Sequence, residues 1–583
     1  MKNAENHLDC VVIGYNEVPF VKYESFLRNY GEDAEAYRDL KFSFVDIDGK
    51  KLDYMGLLNH VLALAQPEGS IPALPDEELK SGDIPNLAAV YLTNFLRNKG
   101  HQTQYINLFQ YEKEKLIEYL AEDPLCVAIT TTFYVVNLPA VEIVEFIRQH
   151  NPRVKIVIGG PLISNHARNY EDPIELKAAL DDIGADIYVI EGQGELTLSQ
   201  IVDTLKTGGD PSTIQNIAYV KNGKLLRTKA VTENNSLDEN YIDWRKFRDE
   251  DIGATVQTRT ARSCAFKCSF CNYPTRAGAL SLTSNEVIEK ELDSILELDQ
   301  VRNLVFIDDT FNVPFPRFKE ICRLMIRNKY PFNWFSYFRC SNSDEEAIAL
   351  MAESGCKGVF LGIESGSPTI LKNMNKSATI EKYAQGIEWL RQYGIMTFGS
   401  FIVGFPGETE ATVQETVDFI RETKPDYYRA QMWYCEPGTP IQLRRSEYDI
   451  NGQGFVWNHR TMDSLEAMDH IDRMFLTIKE SLWLPQWSFD FWTIPYLIGK
   501  GFSFDLFRKL MWSAHQMLTL EIASVPDEEK HVLQQEYLEQ MVKAAEISLQ
   551  GTSQALPGQS KTVSTCCTHR APPFRSDSLL TSF

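Results

Sequence analysis

Three cysteines, Cys264, Cys268 and Cys271, stand within eight positions of the stretch RSCAFKCSFCNYPTRAG (262–278). A structural zinc site asks for four closed ligands, usually set as two pairs, and no partner Cys or His lies near this triplet. Disulfide chemistry has no use for three thiols in a reducing compartment. An iron–sulfur cluster held by three thiolates leaves one iron without a protein ligand, and a metal with an open position can take a substrate. The triplet alone leaves zinc open. Its place after the first strand of a run of strand–helix units favours the cluster.

The elements that must position this loop fall into two sets. CVVIGY (10–15), QYINLF (104–109), CVAITTTF (126–133), VKIVIGG (154–160) and ADIYVIEG (185–192) alternate with helical patterns such as NLAAVYLTNFLRNKG (86–100). Val- and Ile-rich strands separated by helices predict parallel pairing with both faces covered. Residues 1–245 therefore read as an open doubly wound, Rossmann-like sheet whose ligand lies beyond the carboxyl ends of the strands. A second alternation over 246–445 offers six strands: TVQTRTA (255–261), NLVFIDD (303–309), FNWFSYFR (332–339), GVFLGIE (358–364), TFGSFIVGF (397–405) and YYRAQMWY (427–434). Six units predict a partial (β/α)6 barrel with its chemistry on the loops after the strands. Thr283 with Glu286, Ser343 with Glu346, and Thr412 with Glu415 read as helix starts, and Gly355 and Gly394 as stops. Residues 446–550 read as a helical region rich in Trp and Phe, and 551–583 as a disordered polar tail holding the vicinal pair Cys566 and Cys567.

Composition narrows the function. At 583 residues, several domains are expected. A formal net charge of −22 argues against a nucleic-acid partner, which needs clustered Lys and Arg. No run of apolar residues is long enough for a membrane span, and the amino terminus lacks a signal-peptide layout. Eleven cysteines then read as reduced thiols of a cytoplasmic protein.

CAFKCSFC resembles the CxxxCxxC signature of the radical S-adenosylmethionine (SAM) superfamily, including the aromatic Phe270 before the third cysteine. The resemblance implies that Cys264, Cys268 and Cys271 hold a [4Fe–4S] cluster whose fourth iron binds SAM. FIDDTFNV (306–313) falls where a second-strand motif supports the SAM amino group, which points to Asp308 and Asp309. GIESGSPTILKNMNK (362–376) is similar to the fourth-strand stretch, with Glu364 and Ser365 near the ribose or carboxylate. GSFIVGFPGET (399–409) is similar to the fifth-strand stretch that packs the adenine, through Ser400 and Gly404. Each piece has a plainer reading as a cap, a solvated acid or a turn. Their common order along one barrel is what speaks for SAM. Tyr337, Arg339, Arg429 and Tyr434 end strands at the same mouth and are candidates for gripping an anionic substrate, or for ordinary barrel packing.

In the amino-terminal sheet the strand ends supply Tyr15, Asn16, Thr130, Thr131, Gly159, Gly160, Pro161, Glu191, Gly192, Gly194 and Glu195. Small and hydroxyl residues there let a large planar ligand approach the backbone, and EGQGELTL lacks dinucleotide spacing. IGGP followed by a strand and EGxGE is similar to the cobalamin-binding domain of B12-dependent radical SAM enzymes. The DxHxxG motif of histidine-ligated cobalamin binders is absent, which leaves the lower face of cobalt open; His166 is one candidate for it. Within that group the chain looks most like the phosphinate P-methyltransferases. The resemblance implies a methyltransferase that uses [4Fe–4S], SAM and methylcobalamin on an unactivated carbon or a phosphinate phosphorus of a small molecule, with a flavodoxin- or ferredoxin-type reductant. Two other readings remain open: a ring closure or rearrangement without methyl transfer, and a non-catalytic electron carrier or sensor.

Overall fold

A computed structural model describes residues 7–65, 78–80, 83–170, 172–485, 487 and 491–553. Seven strands form the amino-terminal sheet: β1 Cys10–Tyr15, β2 Thr103–Leu108, β3 Cys126–Thr130, β4 Lys155–Gly159, β5 Ile187–Val189, β6 Ile217–Lys221 and β7 Lys224–Arg227. Their order is β2-β1-β3-β4-β5-β6-β7. The first five are parallel and the last two form an antiparallel edge. Alternate residues explain the apolar runs. Val11, Ile13, Ile129 and Ile158 enter one core, whereas Cys10, Val12, Ala128 and Val157 enter another, so both faces are covered. The chain reverses direction across the sheet between β1 and β3, and that switch point is where such sheets bind ligands.

The second sheet holds the six expected strands, β8 Thr255–Thr258, β9 Asn303–Phe306, β10 Asn333–Phe338, β11 Cys356–Glu364, β12 Met396–Val403 and β13 Tyr427–Met432. A seventh, β14 (Leu482–Trp483), comes from the carboxy-terminal region and pairs with β13. All pair in parallel and in sequence order. The extra strand is only two residues of a mixed aromatic stretch, too short to carry a periodic signal. Gly355 and Gly394 take φ of +98° and +70° just past their helices, as a stop requires. The helix caps fall on neighbours of the expected ones: Ser284, Asp344 and Thr409, the last in a capping box with Thr412.

Residues 20–65, inserted after β1, reach the carboxy-terminal region. The Ser464 hydroxyl donates to Glu35 at 2.7 Å, Arg38 pairs with Asp469 and Asp472, and Gln534 donates to the Asp46 carbonyl. The helix Phe504–Ile522 packs on Asp527–Ser553. That last helix covers the first three positions of the expected tail; residues 554–583, with Cys566 and Cys567, lie outside the described residues. No helix among the described residues is long and apolar enough to cross a membrane.

Candidate active site between two domains

The cysteine loop leaves β8 and is clamped at its root by Asp308, which follows β9. The Asp308 carboxylate accepts from Thr260 N (2.8 Å), the Thr260 hydroxyl (2.9 Å) and Ala261 N, with Arg317 nearby. Burial raises its pKa to about 6 against these hydrogen bonds. Asp308 thus positions the loop. Asp309 acts on the thiols from the exposed side of the loop: desolvation and then Asp308 push its pKa up to about 7, and it feels Tyr273 and Cys271.

Burial raises the Cys268 thiol, opposed by Lys376 and Arg339, and pushes Cys271 up to about 11. The three thiols influence one another electrostatically. Among the described residues no trio of Cys, His, Asp or Glu is drawn to the spacing of a single metal ion. A four-iron cluster takes each thiolate on a different iron, so its ligands stand farther apart than those of one ion. Three thiols on one loop beside two cations fit such an anionic group, and metal binding displaces their protons.

Next to Cys268 lies a buried cationic corner. Lys376 Nζ donates to Glu364 at 2.8 Å, and both side chains are buried. Glu364 ends β11 with φ +70°. A side chain on Gly362 would meet its carboxylate at 2.7 Å and push it from Lys376. The Arg339 guanidinium lies 3.7 Å over the Phe266 ring, and its Nη2 is buried without a hydrogen-bond partner. Phe270 sits under Lys376 Nζ at 5.4 Å. A buried carboxylate, two cations and an orphaned guanidinium nitrogen beside the thiols fit the amino and carboxylate groups of SAM.

The remaining barrel candidates are placed differently. Ser365 is fully buried and bonds Thr416 and the Ser367 amide. Gly404 has φ +87° and packs so tightly under Trp457 that a Cβ would lie 2.4 Å from the ring. Its amide donates to Glu408 and its carbonyl contacts His459. Ser400 is buried on β12 beside Arg429 of β13. Tyr337 belongs to an aromatic wall with Phe360, Phe491 and Trp492. Tyr434 packs on Phe455 and is 41% exposed.

A cavity of about 260 Å³ opens beyond the carboxyl ends of β3, β4 and β5 and is closed from the other side by the barrel. Thr130, Gly159, Gly160, Pro161, Gly192, Gly194 and Glu195 line it, as do Gln257, Arg259, Arg262 and Tyr273. Thr130 donates to the Gly14 carbonyl and Thr131 to Gly159, which fixes the floor. Gly160 has φ +106°, and a Cβ there would press on Thr131 at 2.9 Å. Tyr15 instead packs on Phe133 and Tyr134. Asn16 is held by Pro139 and Glu142, and Glu191 is buried facing the charge of Arg168; none of these three lines the cavity. His166 bonds Asn137 at 3.2 Å and is likewise outside it.

Two guanidiniums face the cavity wall. Arg259 lies 4.2 Å over the Tyr91 ring and 3.8 Å from Glu195. Arg262 donates to Gln193. Nε and Nη2 of both are buried without hydrogen-bond partners. Small residues on the sheet side and orphaned donors on the barrel side fit a large planar group edged with amide and phosphate oxygens, as cobalamin is. Tyr91 and Arg259 were not singled out by sequence because one sits in an ordinary amphipathic helix and the other directly after β8 with no motif around it. Lys376 lay inside a quoted motif with no role given to it.

Comparison with known proteins agrees with this geometry. Residues 258–420 match the Radical SAM superfamily, and residues 81–202 match the B12 binding domain. The chain is 27% identical over 403 residues to the uncharacterised methyltransferase PH0819 of Pyrococcus horikoshii, covering 66% of this chain and 84% of that one. It is 24% identical to the anaerobic magnesium-protoporphyrin IX monomethyl ester cyclase of Rubrivivax gelatinosus, covering 68% and 73%. In fold it is similar to TsrM of Kitasatospora setae, solved with cobalamin and a [4Fe–4S] cluster (TM-score 0.52, 21% identity, 62% of this chain and 75% of that one). It is also similar to OxsB with aqua-cobalamin bound (TM-score 0.54, 14% identity, 94% and 80%). The chain is therefore an enzyme with a B12-binding domain ahead of a radical SAM domain. Its cofactors are an iron–sulfur cluster, SAM and cobalamin.

Proposed function

We propose that the protein is a cobalamin-dependent radical SAM methyltransferase that acts on a small molecule, at an unactivated carbon or a phosphinate phosphorus. The observation that carries the reading is the single cavity wall shared by both domains: Tyr273, two residues past Cys271, lines the same space as Gly160 and Gly194. When bound, the cluster and SAM supply hydrogen-atom abstraction, and the corrinoid supplies a methyl group. The residues' own part is to hold and to exclude. Cys264, Cys268 and Cys271 would carry the cluster, and Glu364, Lys376 and Arg339 would orient SAM. The wall of Tyr337, Phe360, Phe491 and Trp492 keeps water and stray C–H donors from the reacting centre.

Likeness to the Rubrivivax cyclase supports a second reading, a ring closure without methyl transfer. Anaerobic turnover with methyl-labelled SAM and a low-potential reductant separates the two. Methyl transfer yields 5′-deoxyadenosine together with label in cobalamin and in a product heavier by one CH₂. Reductant-dependent 5′-deoxyadenosine with no label reaching cobalamin or product refutes it.

A further inference from the structure

Over the back of the cysteine loop lies a surface that the proposed chemistry does not use. Ile441 N donates to the Ser269 carbonyl at 2.9 Å, Ser269 N donates to Met374, and Asn375 donates to the Lys267 carbonyl at 2.7 Å. Asn373 bonds the Pro406 carbonyl and lies beside Gly407 and Tyr448. Arg444 lies over the Tyr448 ring. These contacts weld the 3-10 turn Pro440–Arg444, the end of the helix Pro368–Asn373 and the cysteine loop into one face.

The charge of this face is opposite to that of the chain. Lys267, Lys372 and Arg445 are exposed and make no ion pair among the described residues; Arg445 is bonded only to neutral oxygens of Gln442 and Gly452. Glu447 and Asp449, which follow the turn, are already matched by Arg444 and Arg460. Leu443, in the turn itself, is 90% exposed. A basic face with one projecting apolar residue, on a protein of net charge −22, concentrates the attraction for an acidic partner at one place.

Resting on the cluster reading above, we propose that this face docks the electron donor, a small acidic electron-transfer protein of the flavodoxin or ferredoxin kind. One electron passes from the reduced donor to the oxidised cluster, so the donor is oxidised by one electron and no proton or bond is exchanged. The hydrogen bond between Ile441 and Ser269 puts the face one residue from Cys268.

The test is stopped-flow reduction of the reconstituted full-length protein, followed by bleaching of cluster absorption. The donor used is whichever of reduced flavodoxin or reduced ferredoxin acts faster on the wild type. A Lys372→Glu/Arg445→Glu variant, and separately Leu443→Asp, are compared with wild type at low and high salt, with dithionite as a small-molecule control. Docking here predicts at least tenfold slower reduction by the protein donor at low salt in the charge variant, a smaller difference at high salt, and unchanged rates with dithionite. Equal rates with the protein donor overturn the proposal. So does a slowing shared by dithionite, which places the effect in the cluster. A wild type that forms no cluster overturns the reading beneath it instead.

Discussion

At Gly192 the two domains approach backbone to backbone, which offers a direct handle on the cofactor cavity. It lines the cavity, and a Cβ built on it would stand 2.6 Å from the carbonyl oxygen of Arg276, nearer than carbon and oxygen approach without bonding. The obstacle is backbone in the short helix Tyr273–Ala277 that follows the cysteine loop, so no side-chain rotation relieves it. Gly192→Ala must push the strand-end loop and that helix apart. Overpacking of this kind costs about 1–3 kcal/mol. Most of that strain is borne by the closed cavity, so cobalamin affinity should fall roughly 5- to 150-fold, at 1.4 kcal/mol per tenfold. Fluorescence quenching or spectral titration with hydroxocobalamin under anaerobic conditions measures the Kd, and iron content checks that the cluster is intact. An unchanged Kd with normal iron content would refute the placement of cobalamin between Gly192 and the barrel.

Three further outcomes follow from the geometry. Asp308→Ala leaves two backbone amides and one hydroxyl at the loop root without their acceptor. At about 1–3 kcal/mol for each orphaned buried group, it should lower both the denaturant midpoint and the iron bound per chain; no change in either contradicts its clamp role. Glu408 is buried, and desolvation raises its pKa to about 8 against the Gly404 and Phe405 amides. A raised carboxyl stabilises the fold fully at low pH, and its contribution is lost as pH rises towards about 8, at about 1.4 kcal/mol per pH unit. Glu408→Gln should therefore flatten the fall in urea midpoint between pH 5 and pH 8, and an identical slope in both proteins would be the contrary result. Trp492 touches both Tyr337 of the barrel and Phe133 at the cavity rim. Trp492→Ala should raise the ratio of 5′-deoxyadenosine to product several-fold, whereas an unchanged ratio removes it from the wall.

The parallel strands of both sheets were legible as buried apolar runs between helical patterns, rich in Val and Ile in the first sheet and in aromatics in the second, whereas the half-exposed edge strands β6 and β7 carry no such run and were not anticipated. The helix caps drifted by one to three residues because each of those ends offers two capping side chains, Thr283 and Ser284, Ser343 and Asp344, Thr409 and Thr412, and only backbone geometry selects between them. The excursion over 20–65 was not legible. Its partners, Asp469, Asp472 and Gln534, lie more than four hundred residues away, and no local period encodes them. At the site, motif order led to the cysteines, to Glu364 and to the glycine-lined strand ends. It did not reveal that Asn16, Ser365 and Gly404 spend their polar groups or space on the fold itself. Nor did it single out Lys376, Tyr91 and Arg259, whose significance lies in burial and missing partners.

The account rests on three thiolates that leave one iron open to SAM. Oxygen-free reconstitution, followed by iron and sulfide analysis and electron paramagnetic resonance of the reduced protein with and without SAM, tests this most directly. About four irons and four sulfides per chain, with a signal reshaped by SAM, is the predicted result. Zinc in place of iron, or a cluster signal that SAM leaves unaltered, would contradict it.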